Sequence, residues 1–249
     1  MTEENKGRIA LVTGANRGIG LETVKQLAQQ GMQVLLGARN QAKGSEAAKK
    51  LKSEGLDVEF IQLDVDDEKT HSQTSKAIAQ KVGKLDVLIN NAAIMLDEKS
   101  NGGFAPASKT SVTMFRKTFD TNFFNIIALT HTLLPLIKKS AAGRIVFLSS
   151  ILGSLTLHSD PKSSIYNYKP PAYDISKTAL NAYAVHLAYE LKDTPIKVNV
   201  AHPGSVVTDM NAGGNLQVDE GAKTSVALAT LSNSGYNGKF IHLGKELPW

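Results

Sequence analysis

The tyrosine and lysine four residues apart, Tyr173 and Lys177, are the pair in this chain best suited to proton chemistry. Residues i and i+4 of a helix lie on the same face, so the phenol and the ammonium would be neighbours. A free phenol has a pKa near ~10, and a nearby ammonium lowers that pKa by favouring the phenolate. Tyr173 would then act as a general acid, and Lys177 would lower the pKa of its phenol. The spacing alone is weak, because the same pattern also occurs on ordinary helix faces of a lysine-rich chain.

A glycine-rich turn near the N-terminus is the second candidate site. Gly14, Gly18 and Gly20 follow an apolar run, 8–13, and precede a helical pattern that ends near Gly31. In a strand–turn–helix context, glycines let the backbone approach a pyrophosphate, and the N–H groups at the helix start receive its charge. A simple tight turn is the alternative, but the context favours dinucleotide binding.

The residues after the second apolar run, 33–37, indicate which dinucleotide would bind. An NAD-preferring fold usually has an acidic residue here for the ribose 2′-hydroxyl. The chain has Arg39 instead, and Arg17 lies in the glycine turn. Guanidinium groups can hold a 2′-phosphate through forked, charge-assisted hydrogen bonds. Two surface arginines would explain the pattern equally simply, but the chain has only 5 arginines, and we expect NADP(H).

These residues must be positioned by a regular scaffold, and the chain alternates short β-rich runs with longer helical ones. That alternation is typical of a parallel sheet wrapped by helices, so we predict one α/β domain over residues 1–249. The predicted strands are 8–13, 33–37, 58–63, 85–89, 144–148, 196–200 and 239–243. Predicted helices include 42–54, one long helix over 112–139, the helix from 173 to 191, and 218–231. We expect a mobile loop at 96–112 and a polar stretch at 151–172.

Polar residues follow several of the predicted strands, where ligands bind in open α/β sheets. Asp64 could accept a hydrogen bond from an adenine amino group or cap the next helix. Asn91 suits ribose and backbone contacts, although asparagines are common in turns. Ser149 and Ser150 follow the carboxyl end of the fifth strand. Asn122, among apolar neighbours in the long helix, either bonds to backbone or has a functional role.

Composition excludes several classes of function. A hydrophobic content of 42% with 20% charge is typical of a soluble globular protein, and no segment is apolar enough for a signal peptide or a membrane span. The absence of cysteine excludes disulfides and thiolate chemistry and agrees with a cytoplasmic location. The 6 histidines show no ligand spacing, so we expect no metal. The net charge of +5 would suit nucleic acid, but the lysines are spread along the chain, so we expect no nucleic-acid partner.

The motifs together, in their order, resemble the short-chain dehydrogenase/reductase family over essentially the whole chain. They are Thr13-Gly14-x-x-x-Gly18-x-Gly20, Asn90-Asn91-Ala92, Asn122, Ser150, Tyr173-x-x-x-Lys177 and Pro203-Gly204-x-x-x-Thr208. Other segments, including Leu247-Pro248-Trp249, look like the NADPH-dependent carbonyl reductase branch. The resemblance implies a Rossmann-type doubly wound sheet in strand order 3-2-1-4-5-6-7. It also implies reduction of a ketone, aldehyde or quinone with NADP(H).

The resemblance assigns roles residue by residue. Tyr173 would protonate the carbonyl oxygen, Ser150 would hold that oxygen, and Lys177 would bond the nicotinamide ribose and lower the tyrosine pKa. Asn122 would seat a water that relays protons. Cofactor contacts would come from Gly14, Asn16, Arg17, Gly18, Ile19, Gly20, Arg39, Asp64, Val65, Asn91, Ala92, Tyr173, Lys177, Pro203, Gly204, Val206 and Thr208.

Three departures from the family pattern matter. Ala93 stands where the family usually has glycine, which adds a methyl group near the ribose. The segment 151–172 between Ser150 and Tyr173 is longer than is common, and could obstruct the helix contact through which many members form tetramers. We therefore expect a monomer, with a homo-oligomer as the alternative. Relatives of this branch often have a tryptophan at the position of Ser205. The smaller serine would leave one wall of the substrate pocket more open.

Three other functions remain open at this point. The same residues would serve an alcohol dehydrogenase that runs in the oxidative direction. A regulator that senses NADP(H) without chemistry is a second alternative, although such relatives tend to lose the tyrosine or the lysine, and both are present here. A basic nucleic-acid binder is the third.

Overall fold

A computed structural model describes residues 5–100 and 103–249, and eight strands in those residues form one sheet. The described residues contain ten strands in all: β1 (Ile9–Val12), β2 (Gln33–Ala38), β3 (Val58–Gln62), β4 (Val87–Asn90), β5 (Lys99–Ser100), β6 (Gly103–Phe104), β7 (Arg144–Leu148), β8 (Lys197–Ala201), β9 (Phe240–His242) and β10 (Lys245–Glu246). The sheet order is β10-β9-β8-β7-β4-β1-β2-β3, while β5 and β6 form a separate hairpin. All neighbours in the large sheet are parallel except β9 and β10. The seven strands predicted from the sequence are β1, β2, β3, β4, β7, β8 and β9. Their predicted order, 3-2-1-4-5-6-7, is confirmed, and β10 adds an antiparallel strand at the edge of the sheet.

Helices cover both faces of this sheet. They are α1 (Gly18–Gln29), α2 (Gln41–Ser53), α3 (Glu68–Lys81), α4 (Val112–Phe119), α5 (Asn125–Ile137), α6 (Leu155–Ser159), α7 (Pro171–Glu190) and α8 (Val218–Ala229). Successive residues of β1 pack on opposite faces of the sheet, which explains why a layer of helices forms on each face. Ile9 and Leu11 pack in one apolar cluster with residues of α3, α5 and α7, and Ala10 and Val12 pack in another with residues of α1, α2 and α8. Successive strand residues point to opposite faces, so a buried central strand must be apolar throughout. The predicted doubly wound α/β fold is confirmed.

Three segments differ from the sequence prediction. The predicted long helix over 112–139 is present as a continuous helical segment from Val112 to Ile137, but one turn of it, Asp120–Phe124, is π-helical and lies between α4 and α5. Part of the predicted loop 96–112 is regular, since Lys99 pairs with Phe104 in the β5–β6 hairpin. Two residues of that loop, 101 and 102, lie outside the described residues. The stretch 151–172 contains a 3₁₀ turn, Ile151–Gly153, and the short helix α6.

The parallel strands place their carboxyl ends at one edge of the sheet, which is where ligands bind in this fold class. Thr13, Asn91, Ser149 and His202 directly follow β1, β4, β7 and β8 at that edge. No helix in the described residues is long and apolar enough to cross a lipid bilayer.

Candidate active site

The glycine turn between β1 and α1 is tied to the end of β4 by four hydrogen bonds. The backbone N–H groups of Asn91 and Ala92 both donate to Thr13 Oγ1 at 3.0 Å. The side-chain amide of Asn91 donates to the carbonyl oxygens of Thr13 at 2.7 Å and Gly14 at 3.2 Å. Asn91 therefore holds the turn rather than reaching freely into the cleft.

Two positions in this turn, Gly14 and Gly20, require glycine. Gly14 has a φ of +63°, in the left-handed region. A Cβ on Gly20 would lie 2.5 Å from Asn91 Nδ2 and 2.8 Å from the carbonyl oxygen of Gly14. No side chain in the described residues caps the N-terminus of α1, so its first-turn N–H groups are free for an anion. The turn therefore fits the pyrophosphate of a dinucleotide.

Basic side chains lie around the carboxyl end of β2. Arg39 is exposed there, and Lys43 follows in the first turn of α2, whose N-cap Asn40 accepts from the N–H of Lys43 at 2.9 Å. Arg17 lines the same cleft, and its guanidinium forms an ion pair with Asp209. Arg39 and Lys43 are thus the basic groups best placed for a phosphate, while Arg17 is shared with the loop after β8.

Asp64 and its neighbours form the next side of the cleft. Asp64 Oδ1 accepts from the N–H of Asp66 at 3.1 Å. Of the two roles considered for Asp64, the capping role belongs to another residue, because Asp67 is the N-cap of α3 and accepts from the N–H of Lys69. Val65 also lines the cleft, and its carbonyl is bonded to the ring of the buried His71 at 3.0 Å.

The proposed catalytic tyrosine, Tyr173, lies near Ser150, the second residue after β7. Both side chains line the cleft, and the hydroxyl of Ser150 is near enough to the phenol of Tyr173 to lower its pKa. Burial and the nearby Asp174 carboxyl act in the opposite direction and are larger, so the pKa of Tyr173 is raised above its usual value. The net shift in the pKa of Tyr173 is therefore opposite to the lowering expected from the lysine.

Lys177 lies one turn further along α7 and is buried. Its Nζ donates to the carbonyl oxygen of Leu148 at 2.9 Å and lies 5.6 Å from the centroid of the Tyr173 ring. Burial lowers the pKa of Lys177 to about 8. The ammonium is therefore held against the end of β7, close to the phenol but not bonded to it.

Asn122 lies in the π-helical turn, fully buried behind the cleft. Its Oδ1 accepts from the N–H of Ile94 at 2.8 Å, and its Nδ2 donates to the carbonyl of Ile94 at 2.8 Å and to Ser176 Oγ at 3.1 Å. Both amide hydrogens are therefore in use. The wide turn lets this one side chain join the segment after β4 to the helix that carries Tyr173.

The loop after β8 closes the other side of the cleft. Val206 is buried, and its bridge with Leu216 folds the loop back on itself. His202, just before Pro203, packs against His242 with the ring planes tilted by 44°, and burial lowers the pKa of His202 to about 3. The neutral ring accepts from the N–H of Ile151 at 3.1 Å through Nδ1, so His202 supports the turn after Ser150.

These elements enclose one cleft of about 1600 Å³. Every site residue predicted from the sequence lines it except Asn122. The lining residues among them are Gly14, Asn16, Arg17, Gly18, Ile19, Gly20, Arg39, Asp64, Val65, Asn91, Ala92, Ser150, Tyr173, Lys177, Pro203, Gly204, Val206 and Thr208. In the described residues, no three potential metal ligands cluster.

Comparison with known families agrees with this geometry. The model of the family described as short chain dehydrogenase matches residues 8–219. The chain belongs to the short-chain dehydrogenase family. The parallel sheet covered by helices on both faces is the fold that the resemblance implied.

Relatives in this family cover nearly the whole chain. The chain is 31% identical to (+)-neomenthol dehydrogenase of Capsicum annuum, covering 94% of this chain and 95% of the relative. It is 32% identical to carbonyl reductase [NADPH] 1 of Rattus norvegicus, covering 97% of this chain and 98% of the relative.

Solved structures show the same arrangement. Salutaridine reductase from Papaver somniferum superposes with a TM-score of 0.81 at 30% identity, covering 94% of this chain and 99% of that one. A putative short-chain dehydrogenase from Escherichia coli CFT073, complexed with NADPH, gives 0.81 at 26% identity, covering 96% and 98% of the two chains. The chain is therefore an oxidoreductase-family protein with reductase-named relatives.

Some cleft residues of this family member were missed by sequence reasoning. Lys43 is four residues after Arg39 at a helix start, which is a signal that could have been used. Tyr168 lines the cleft, and its ring meets Phe104 edge-on at 5.0 Å. Asp97 does not line the cleft, but its carboxylate accepts hydrogen bonds from the start of α7, and nothing in its sequence neighbourhood indicates that.

Proposed function

We propose that this protein reduces the carbonyl group of a small molecule to an alcohol, with NADPH as the reductant. The observation that carries the proposal is that Ser150, Tyr173 and Lys177 line one cleft, with Lys177 Nζ 5.6 Å from the centroid of the Tyr173 ring. Because Tyr173 and Ser150 line the same cleft, both hydroxyls could donate to one carbonyl oxygen. They would stabilise negative charge where it develops in the transition state.

The bound cofactor would supply the hydride that reaches the carbonyl carbon. Tyr173 supplies the proton to the carbonyl oxygen, so that C=O becomes CH–OH and the tyrosine is left as phenolate. Ser150 holds the oxygen during this step. Lys177, whose ammonium lies 5.6 Å from the Tyr173 ring centroid, stabilises the phenolate that forms. The raised pKa of Tyr173 keeps it protonated, and so able to donate, before substrate arrives.

NADPH is favoured over NADH by the charges at the end of β2. Arg39 and Lys43 line the cleft there, and no acidic residue occupies positions 38–40 to accept from a ribose 2′-hydroxyl. A 2′-phosphate would pair with both cations, whereas NADH would leave them unpaired. The relative from Escherichia coli named above was solved with NADPH, which supports the same choice.

The substrate is expected to be a small molecule that enters beside Tyr168. We further propose that the protein acts in the cytoplasm and binds neither nucleic acid nor membrane. The absence of cysteine agrees with a reducing compartment. Cell fractionation and a salt-dependent DNA-binding assay would test these two points.

The test is NADPH consumption with a panel of quinones, diketones, aromatic aldehydes and simple ketones. Wild type, Tyr173→Phe and Tyr183→Phe are compared. Tyr183 lies on the same helix, and its buried hydroxyl has no hydrogen-bond partner among the described residues, so it is a matched control. We expect Tyr173→Phe to lose about 10²- to 10⁴-fold in kcat while it still binds NADPH, and Tyr183→Phe to behave as wild type.

Other outcomes separate the alternatives. Turnover of alcohols with NADP⁺ but of no carbonyl with NADPH would assign the oxidative direction. Binding of NADPH without turnover in either direction would indicate a sensing role. Equal activity in wild type and Tyr173→Phe would remove the tyrosine from the mechanism.

A further inference from the structure

The N-terminus of α7, the helix that carries Tyr173 and Lys177, lacks a local cap. Its N-cap is Pro170, which makes no side-chain hydrogen bond, and its first residue is Pro171. Proline at this position has no N–H to satisfy, and the N–H of Asp174 already donates to the carbonyl of Pro170 at 2.9 Å. The N–H groups of Ala172 and of Tyr173 itself therefore need partners from elsewhere in the fold.

Asp97 supplies both partners. One carboxylate oxygen accepts from the N–H of Ala172 at 2.7 Å, and the other accepts from the N–H of Tyr173 at 2.9 Å. A carboxylate at a helix N-terminus is favoured by hydrogen bonding and by the helix dipole. One of these two bonds is made to the backbone of the proposed acid, so it restrains the point from which the phenol extends.

Asp97 ends a short segment that also holds two other parts of the site. In this segment, residues 91–97, Asn91 bonds to the carbonyl of Gly14 in the glycine turn at 3.2 Å. Ile94 makes two backbone hydrogen bonds with the side chain of Asn122. The strap 91–97 therefore connects the cofactor turn, the π-helical turn and the start of α7 within seven residues.

We infer that Asp97 is a positioning residue that fixes Tyr173 relative to Ser150 through its two-point contact with the start of α7. The inference rests on the proposed function, because it assigns Asp97 a part in the same reaction. A carboxylate suits the position, since it offers two acceptors to two donors. An asparagine would keep one acceptor and turn its NH₂ group toward the second N–H.

The test compares Asp97→Asn, which preserves the shape of the side chain, with Asp97→Ala and with Glu98→Gln. Glu98 is the exposed neighbour, so its change to glutamine removes the same charge without touching α7. Three quantities are measured for each variant: kcat at saturating substrate, the Kd for NADPH, and hydrogen exchange at the amides of Ala172 and Tyr173 by NMR. Thermal unfolding gives the folded fraction at the assay temperature.

For Asp97→Asn we expect kcat to fall by about tenfold or more, because small misplacements of a reacting group are costly. The Kd for NADPH should stay near the wild-type value, and exchange at the two amides should become faster. Asp97→Ala should show the same pattern more strongly, and Glu98→Gln should match wild type. Unchanged kcat and unchanged exchange in Asp97→Asn would overturn the inference. A fall of kcat and NADPH binding together, in proportion to the folded fraction, would also overturn it.

The exchange measurement keeps this test separate from the proposed function. If wild type reduces no carbonyl, the proposed function fails, and the contact is judged by exchange alone. Faster exchange at Ala172 and Tyr173 in Asp97→Asn would then support the positioning of α7 by Asp97. Unchanged exchange would overturn it.

Discussion

The ammonium of Lys177 lies 5.6 Å from the centroid of the Tyr173 ring while it donates its hydrogen bond to the carbonyl oxygen of Leu148 at 2.9 Å. The lysine is therefore anchored to the end of β7 and not to the phenol. Burial lowers its pKa to about 8, because the charged form is the one that loses hydration. This arrangement gives Lys177 a measurable effect on stability as well as a role in the site.

The first prediction concerns stability against pH. The pKa of Lys177 is about 8 in the folded protein, and that of an unfolded lysine is near ~10.4, so between these values the unfolded chain binds more protons. Stability must then rise with pH in that window, by up to about 1.4 kcal/mol per pH unit. In urea unfolding, the free energy of unfolding of wild type should rise with pH in this window relative to that of Lys177→Met, which lacks the titrating group. A difference that stays constant with pH would show that the folded pKa of Lys177 is not lowered.

The second prediction concerns the choice of cofactor. Arg39→Ala should lower kcat/KM with NADPH by about tenfold or more and leave the value with NADH nearly unchanged, because a charge-assisted hydrogen bond is worth about 1.5–3 kcal/mol. Arg116→Ala is the control, since Arg116 is an exposed arginine on α4 outside the cleft. Steady-state kinetics with both cofactors measure the effect. Equal losses with both cofactors would mean that the 2′-phosphate is held elsewhere.

The third prediction concerns the glycine turn. A Cβ on Gly20 would lie 2.5 Å from Asn91 Nδ2, so Gly20→Ala should push Asn91 away from its bonds to the turn. We expect weaker NADPH binding, measured by fluorescence titration, with secondary structure retained in circular dichroism. Wild-type affinity in Gly20→Ala would show that the turn can relax without affecting the cofactor site.

The fourth prediction concerns Asn122. Asn122→Ala should lower the free energy of unfolding by about 1–3 kcal/mol, because the backbone groups of Ile94 would lose their partners. Asn167→Ala, at an exposed position in the segment before α7, is the matched control and should change little. Chemical denaturation of both variants measures the difference. Equal stability of the two variants would mean that water replaces the amide of Asn122 at no cost.

The fifth prediction concerns oligomeric state. The segment before α7 packs along that helix, where the carbonyl of Gly153 accepts from Thr178 Oγ1 at 3.1 Å and from Asn181 Nδ2 at 3.2 Å. This contact occupies one flank of α7, so we expect a monomer in light scattering. A stable dimer or tetramer would show that the remaining exposed face of the helix, with Val185 and Tyr189, is sufficient for assembly.

Much of the fold was predictable because strand and helix periods are local properties. The strand order followed from the family resemblance, and the buried alternation of β1 agrees with helices on both faces of the sheet. The π-helical turn Asp120–Phe124 within the long helical segment was not predicted. A π-helical turn depends on what the helix packs against, and Asn122 reaches Ile94 only because that turn forms. The hairpin Lys99–Phe104 was missed because its strands are two residues long.

By itself, the sequence determined the glycine turn, the placement of Ser150 at a strand end, and the pairing of Tyr173 with Lys177 on one helix face. Each depends on spacing within a single element, where the backbone geometry is known in advance. Only the tertiary structure decided that Asp97 bonds the start of α7, that Lys177 is anchored to Leu148, and that the pKa of Tyr173 is raised. These depend on burial and on contacts between residues distant in sequence, such as Asp97 and Ala172. Local periodicity carries no information about such contacts, because they exist only once the sheet has assembled.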